Sequence, residues 1–270
     1  MPSAVWESGI SFWLFGFLAF WLLVSPSFAQ SFKSEANTAW HVTGDMIRAP
    51  FHRSTGDYLM AAGILSGIVL SSTLDRPAHA AALKANGSWV KTVDDIGHQL
   101  QGPAVIFGTT GAVYAYGALE HDGHARRIGW EIVESYAISA TATHVVKRLA
   151  GRHRPYENDG PFDFSGFNIS NNGHQSFPSG DVTVAFSFVS VLAAEARTVP
   201  TTVLFYGLGA LTAFQRLNRN QHWLSDTIAG AVCGTVAGLG VVHFNRQRTA
   251  SSLKLSAGMS PPGVSLTLDL

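Results

Sequence analysis

The sequence contains a single cysteine, Cys233, and charged residues make up only 13% of its 270 residues. One cysteine excludes an internal disulfide framework and a zinc site built from several cysteines. The 18 basic residues balance the 18 acidic ones, and this zero net charge gives no electrostatic support for a nucleic-acid partner. Hydrophobic residues, by contrast, make up 46% of the chain, and the mean hydropathy of +0.16 lies between a soluble domain and a polytopic membrane protein.

The N-terminus carries a long apolar run, ISFWLFGFLAFWLLV, followed by the small-residue sequence SPSFAQ. This pattern is typical of a signal peptide that is cleaved near Ala29. The residues before the run include Glu7 and no Lys or Arg, so an uncleaved N-terminal anchor is the alternative. In both cases we expect the remaining chain to be exported, either to a bacterial cell membrane with a periplasm-facing site or to the periplasm.

Apolar stretches of helical length follow, rich in small residues that favour close helix contacts. They lie at residues 58–72, 103–119, 128–146, 182–196, 199–214 and 226–244. The sequence therefore predicts an all-α fold, a bundle of about six hydrophobic helices. Most of these stretches are shorter than the roughly 20 residues that a membrane span needs, so the number of crossings stays open.

We expect four segments along the chain. A signal peptide or anchor occupies 1–29, a polar segment with short helical turns occupies 30–56, the helical domain occupies 57–248 and a tail occupies 249–270. The tail alternates apolar and polar residues around a Pro-Pro-Gly turn, which favours a small β-hairpin.

Polar residues at the ends of the hydrophobic helices form three blocks. The first block, KRLAGRHRP, contains Lys147 and Arg154. Two cations at a helix end and in the following loop can hold a dianion from two directions, with the arginine fork matching phosphate oxygens. The alternative is a solvated helix C-terminus that the helix dipole favours.

The second block is Pro178-Ser179-Gly180-Asp181, directly before an apolar helix. Backbone N–H groups and a hydroxyl at a helix N-terminus form a natural anion site. Serine, glycine and aspartate are also ordinary helix-start residues, so this block alone is ambiguous.

The third block, QRLNRNQHWLSD, contains Arg216, His222 and Asp226. The spacing of i and i+4 lets the carboxylate reach one imidazole nitrogen and leave the other free. An oriented histidine beside an arginine is suited to covalent phosphoryl transfer, whereas a surface His–Asp pair is the alternative.

Together the blocks resemble the type 2 phosphatidic acid phosphatase and vanadium haloperoxidase superfamily. The signature of that family is K-x6-R-P, then P-S-G-H, then S-R-x5-H-x3-D. The resemblance covers roughly residues 140 to 245. It implies that His222 attacks phosphorus to give a phosphohistidine and that Asp226 orients His222. The implied phosphate-binding residues are Lys147, Arg154, Ser179, Gly180 and Arg216.

Two positions depart from the signature, because Gln215 replaces the family's serine and Asp181 replaces its histidine. That histidine is expected to protonate the leaving alcohol. A carboxyl, with a reference pKa near ~4, is a poor acid at neutral pH unless burial raises its pKa. Asp181 is therefore an acid under suitable conditions, or the leaving group needs no acid, or the enzyme is weakened. His153 and His174 in the neighbouring loop are possible substitutes.

The resemblance implies a metal-independent phosphatase, with no cofactor, that hydrolyses a phosphomonoester or diphosphate. The expected substrate is a phosphorylated lipid or a small phosphoester, and we expect the protein to associate with a membrane. The alternatives are a weakened or inactive phosphate-binding member of the family and a periplasmic non-specific acid phosphatase. A vanadate-dependent haloperoxidase is a third, more distant alternative.

Overall fold

The computed structural model describes residues 26–49, 54–167 and 171–258. Helices account for most of these residues. They are α1 (Pro26–Arg48), α2 (Thr55–Ser71), α3 (Asp75–Lys84), α4 (Ser88–Leu100), α5 (Pro103–Leu119), α6 (Gly123–Ala150), α7 (Gly180–Ala196), α8 (Val199–Asn218) and α9 (Leu224–Gly258). Every apolar stretch predicted to be helical lies in helical structure, so the all-α prediction is confirmed.

The polar segment predicted over 30–56 differs from expectation, because most of it forms the single 23-residue helix α1. Its Glu35 explains how a polar helix is held on the bundle. The Glu35 carboxylate accepts hydrogen bonds from the Tyr114 hydroxyl at 2.7 Å and from Trp130 Nε1 at 2.8 Å. The apolar run of the predicted signal peptide lies before residue 26, outside the described residues.

The predicted C-terminal hairpin is wrong where it overlaps α9, which continues as a helix to Gly258. A helix satisfies its backbone hydrogen bonds within one segment, whereas a strand at 253–258 would need a partner strand. Residues 259–270, which contain the Pro-Pro-Gly turn, are outside the described part of the chain.

The centre of the bundle is α7, which is buried against α6, α8 and α9. Glycines at every fourth position of α9 let its backbone approach α7 closely. A Cβ at Gly230 would lie 2.6 Å from the Ser179 carbonyl oxygen, and one at Gly238 would lie 2.6 Å from the Ser187 carbonyl oxygen. This close approach brings the starts of the two helices together, so the Ser179 amide donates to the Asp226 carbonyl at 3.0 Å.

Helix α6 ends in a turn that directs the first polar block back across the bundle. Gly151 caps the helix in the left-handed conformation, with φ 62°. A Cβ at this position would overlap the backbone of Gly166, so only glycine fits here. The turn places the residues after α6 beside the starts of α7 and α9.

Among the residues that the structure describes, two helical stretches are long and apolar enough to cross a membrane, Thr55–Lys84 and Leu224–Ala250. The apolar window of the second is 44% buried inside the bundle, as in a core helix, whereas none of the first is buried. The first stretch exposes large apolar side chains, namely Tyr58, Leu59, Met60, Leu65, Val69 and Leu70. These features give weak support for membrane association.

Candidate active site

The three polar blocks meet around one cavity of about 340 Å³. One wall is the C-terminal part of α6 and another is the start of α7. The other sides come from the connection between α4 and α5, the loop between α6 and α7, and the connection between α8 and α9. The residues of the three blocks that line the cavity are Lys147, Arg154, Gly180, Asp181 and His222. Arg216, Ser179 and Asp226 adjoin it through the contacts described below.

Lys147 is held inside the cavity wall rather than in solvent, and only 7% of its surface is exposed. Its Nζ donates to the carbonyl oxygen of Gln175 at 2.7 Å. Burial, together with the nearby charge of Arg154, lowers the pKa of Lys147 to about 8. At neutral pH the amine is therefore mostly protonated, and a bound anion would favour this form further.

Arg154 is fixed by the loop that precedes α7. Its backbone N–H donates to the Gly173 carbonyl at 2.8 Å, and its Nε donates to the Asn172 carbonyl at 3.0 Å. Its Nη1 donates to Gln221 Oε1 at 2.8 Å. These contacts orient a guanidinium on the cavity wall before any anion binds.

His222 is the most deeply placed of the candidate catalytic residues that line the cavity, with 1% of its surface exposed. Its Nδ1 lies 3.4 Å from Ser176 Oγ and 3.6 Å from Asp226 Oδ2. Burial lowers the pKa of His222 to about 4, against the opposing effect of Asp226. The imidazole is therefore neutral at neutral pH, and Nε2 is the nitrogen left to act on a ligand.

Asp226 is fully buried and accepts several hydrogen bonds. Its Oδ2 accepts from Ser176 Oγ at 2.5 Å and from the Trp223 amide at 2.9 Å. The 3.6 Å between this oxygen and His222 Nδ1 is longer than a hydrogen bond. Ser176 contacts both side chains, so Asp226 positions His222 partly through Ser176, a residue that the sequence analysis did not assign to the site.

Arg152 is a second residue of the site that the sequence analysis missed. It is 2% exposed, and its Nη1 donates to Asp226 Oδ1 at 2.6 Å. Its Nη2 donates to Asp75 Oδ2 at 2.7 Å. The first polar block therefore contributes two arginines with different roles, because Arg152 holds Asp226 in the core and Arg154 faces the cavity.

The second block forms the start of α7 as predicted. The Ser179 hydroxyl is buried and has no hydrogen-bond partner among the described residues. A Cβ at Gly180 would lie 3.3 Å from Lys147 Cε, so glycine keeps the lysine close to the helix start. The first N–H groups of a helix have no carbonyl partner within it, which leaves the start of α7 suited to an anion.

Asp181 lies at the cavity edge, where its side chain is 43% exposed. Its Oδ2 accepts from Arg216 Nη1 at 2.7 Å. Gln101, at the end of α4, fits beside this pair when its amide nitrogen donates to Asp181 Oδ1 at 2.9 Å and its oxygen accepts from Arg216 Nη2 at 2.8 Å. The arginine predicted to hold phosphate is thus already paired with the unusual carboxylate.

The two loop histidines proposed as substitutes for Asp181 do not line this cavity. The rings of His153 and His174 stack with centroids 3.7 Å apart, and His153 Nδ1 lies 2.5 Å from Asp159 Oδ2. A different histidine, His144 on α6, is part of the cavity wall. Within 26–49, 54–167 and 171–258, no group of three or more His, Cys, Asp or Glu side chains is arranged to hold a metal ion.

Comparison with known proteins supports the recognition made from the motifs. Residues 128–250 match the model of the PAP2 superfamily. Over 83 residues, or 30% of this chain, the sequence is 29% identical to a lipid A 1-phosphatase of Porphyromonas gingivalis, of which the match spans 19%. This chain therefore covers about a fifth of the length of that curated relative.

Among solved structures, the chain is similar to the crystal structure of Aquifex aeolicus LpxE. The TM-score is 0.49 with 16% sequence identity, over 63% of this chain and 95% of that one. The family match at 128–250 contains all three polar blocks. Over these residues, the chain is similar to the PAP2 superfamily.

Proposed function

We propose that the protein is a metal-independent phosphatase that hydrolyses a phosphorylated lipid through a phosphohistidine intermediate. The observation that carries the proposal is the convergence of the three blocks on one cavity, with a neutral buried imidazole beside two fixed cations. A phosphate monoester is a dianion, and fixed cations and helix-start N–H groups stabilise the charge that develops on its oxygens.

In the proposed reaction, His222 Nε2 attacks phosphorus while Ser176 and Asp226 hold its other nitrogen. Lys147 and Arg154 bind the oxygens of the transferred phosphoryl group, with Ser179, the Gly180 amide and Arg216 as further ligands. The bond to the alcohol oxygen breaks, and water then hydrolyses the phosphohistidine.

The lipid part of the proposal rests on the surface next to the cavity and on the relative named a lipid A 1-phosphatase. An apolar groove of about 560 Å³ lies between α1 and α6. Thr141 and Ala142 line this groove, and the next residues along α6, Thr143 and His144, line the catalytic cavity. A phosphate in the cavity and an apolar chain in the groove can therefore belong to one substrate.

The exposed apolar face of α2 supports a location at a membrane, since apolar patches of this kind mark interaction surfaces. We place the site on the exported, periplasmic side of a bacterial cell membrane, in agreement with the leader-like run before residue 26. Retention of the protein in detergent extracts of membranes, and its absence from the soluble fraction, tests this placement.

The alternative of a weakened, phosphate-binding protein is favoured by one observation, the Asp181–Arg216 pair at 2.7 Å. A carboxylate within the site repels a phosphate dianion and engages one of its ligands. Turnover of phosphate monoesters, measured from pH 4 to 8 with the unmodified protein and with His222→Ala, decides between the two functions. Turnover that His222→Ala abolishes supports the enzyme, whereas phosphate binding with no turnover at any pH overturns it.

A phosphohistidine intermediate is tested separately by quenching the reaction at alkaline pH, where this linkage survives. Intact-protein mass spectrometry should then detect one added phosphoryl group on the unmodified protein and none on His222→Ala. A phosphoryl group that persists in His222→Ala would place the nucleophile elsewhere.

A further inference from the structure

We propose that His144 protonates the leaving alcohol, and thereby takes the role that Asp181 cannot fill. This inference rests on the proposed function and adds a catalytic residue to it. The starting observation is the pairing of Asp181 with Arg216, because its Oδ2 accepts from Arg216 Nη1 at 2.7 Å and the carboxyl is therefore engaged by the guanidinium rather than free to meet a leaving group.

The position of His144 follows from the register of α6. Tyr136, Ala140, Thr143, His144 and Lys147 all line the cavity, at the spacing of one helix face. His144 therefore lies one turn before the lysine proposed to bind phosphate. Unlike that lysine, it is exposed, so it is at the open side of the cavity.

The open side is where the leaving group must depart. In phosphoryl transfer, the attacking and leaving atoms lie roughly in line on opposite sides of phosphorus. The proposed nucleophile, His222, is 1% exposed and lies at the closed side. A phosphate held between His222 and His144 therefore directs its ester oxygen away from His222 and toward the side on which His144 lies.

The surrounding charges are compatible with this role. The charged and titratable groups around the cavity, from every side, are Lys147 on α6, Arg154 in the loop, Asp181 on α7 with its partner Arg216 on α8, His222 and Tyr136. A bound phosphate dianion would add negative charge to the cavity that His144 lines. Imidazole is the side chain best suited to exchange a proton near neutral pH.

His144 alone can donate and take up the protons that the two steps require. In the first step, His222 Nε2 bonds to phosphorus, the bond to the ester oxygen breaks, and the protonated His144 gives its proton to that oxygen. In the second step, neutral His144 takes a proton from water as the water oxygen attacks phosphorus. The phosphorus–nitrogen bond breaks, inorganic phosphate leaves, and His144 is again protonated.

The experiment compares two esters that differ in their need for an acid. An alkyl phosphate releases a poor leaving group, whereas p-nitrophenyl phosphate releases a stable phenolate that needs no proton. The measured quantity is kcat/KM, because it includes only the steps up to release of the alcohol and excludes hydrolysis of the phosphohistidine. We expect His144→Gln to lower kcat/KM for the alkyl ester by roughly 10²-fold or more, and to change it little for p-nitrophenyl phosphate.

His174→Gln is the matched control, since it removes a histidine of the neighbouring loop that does not line the cavity. It should leave both values unchanged, while His222→Ala should abolish both. Equal losses for the two esters in His144→Gln would show a binding or structural role and overturn the inference. A selective loss in His174→Gln would overturn it as well, and an unmodified protein that cleaves neither ester would overturn the proposed function.

Discussion

The two ends of α6 both carry buried charged groups, but the surrounding structure treats them differently. At the catalytic end, the fully buried Asp226 accepts hydrogen bonds from Arg152, Ser176 and the Trp223 amide. The guanidinium of Arg152 in turn binds Asp75. Every charge in this group has a partner at hydrogen-bond distance. Burial acts to raise the pKa of Asp226, but the contacts with His222, Arg152 and Ser176 outweigh it and lower the pKa to about 2.

At the other end of α6, Glu131 is also fully buried, but neither of its carboxylate oxygens has a hydrogen-bond partner in the part of the chain that the structure describes. Arg127 Nε lies 3.4 Å from Glu131 Oε1 without the geometry of a hydrogen bond. Burial, with a further contribution from the nearby Glu195, raises the pKa of Glu131 to about 8. The Glu131 carboxyl is therefore mostly protonated, and uncharged, at neutral pH.

The difference shows what a charged site inside a helical bundle requires. Removing an ion from water costs several kcal/mol unless partners replace the water, and a carboxyl without such partners becomes neutral instead. The catalytic end needs a charged carboxylate at neutral pH, because Asp226 is proposed to position His222. The network around Asp226 keeps that carboxylate charged, whereas Glu131 has no such partners and is neutral.

The largest effect is expected from Arg152→Met, which removes the cation that Asp75 and Asp226 share. Two buried carboxylates lose a partner, and breaking a buried pair in this way costs about 3–5 kcal/mol. Urea unfolding of the purified protein measures the loss. Arg154→Met is the matched control, because this half-buried arginine binds Asn172 and Gln221 rather than a buried carboxylate.

We expect Arg154→Met to cost much less stability than Arg152→Met while it weakens phosphate binding. Equal losses of stability in the two variants would show that the Arg152 network does not hold the catalytic end together. A loss of phosphate binding without a loss of stability in Arg152→Met would instead exchange the roles assigned to the two arginines.

Glu131→Gln tests the opposite end of α6 through the pH dependence of stability. Because the pKa of Glu131 is raised from 4.5 to about 8, the folded state keeps a proton that the unfolded state releases between these values. Stability from this group is complete below pH 4.5 and is lost as the pH rises through 8. The unmodified protein should therefore lose roughly 4 kcal/mol from this group between pH 5 and 8.5, and Glu131→Gln should reduce the slope by this contribution.

The exposed Glu120 gives a control for the removal of a carboxyl, and Glu120→Gln should keep the slope of the unmodified protein. Thermal unfolding followed by circular dichroism at several pH values is sufficient. A slope that Glu131→Gln leaves unchanged would mean that Glu131 is ionised in the folded protein at neutral pH.

Much of the fold was predictable because its core helices are apolar along most of their length. The stretches at 182–196 and 199–214 correspond closely to α7 and α8. Helices α1, α3 and α4 were missed because their sequences are more polar and owe their position to contacts with distant residues. The hydrogen bonds of Glu35 with Tyr114 and Trp130 are examples that no local pattern contains.

The parts of the site that are formed by residues close together in the sequence were predictable. The i, i+4 relation of His222 and Asp226 and the helix start at Gly180 both follow from sequence distance. The separate roles of Arg152 and Arg154 do not, since both lie in one basic block and only the fold decides which arginine is buried. Gln101 joins the site from a helix end far away in the sequence, and no motif marks it.

The smallest effect is expected at the Asp181–Arg216 ion pair. Unlike the buried Arg152–Asp226 pair, it has a carboxylate that faces the cavity. Asp181→Asn removes the negative charge that lies 2.7 Å from Arg216 while it keeps the shape of the side chain. Arg216 is then available to the phosphate and the repulsion of the dianion falls, so the affinity for inorganic phosphate should rise about tenfold, or ~1.4 kcal/mol.

Isothermal titration calorimetry at low salt measures the change in affinity. Asp159→Asn is the control, because its carboxylate is paired with His153 outside the cavity, and it should leave the affinity unaltered. Unchanged or weaker binding in Asp181→Asn would remove Arg216 from the phosphate ligands, and Lys147 and Arg154 would then be the cations that bind the dianion.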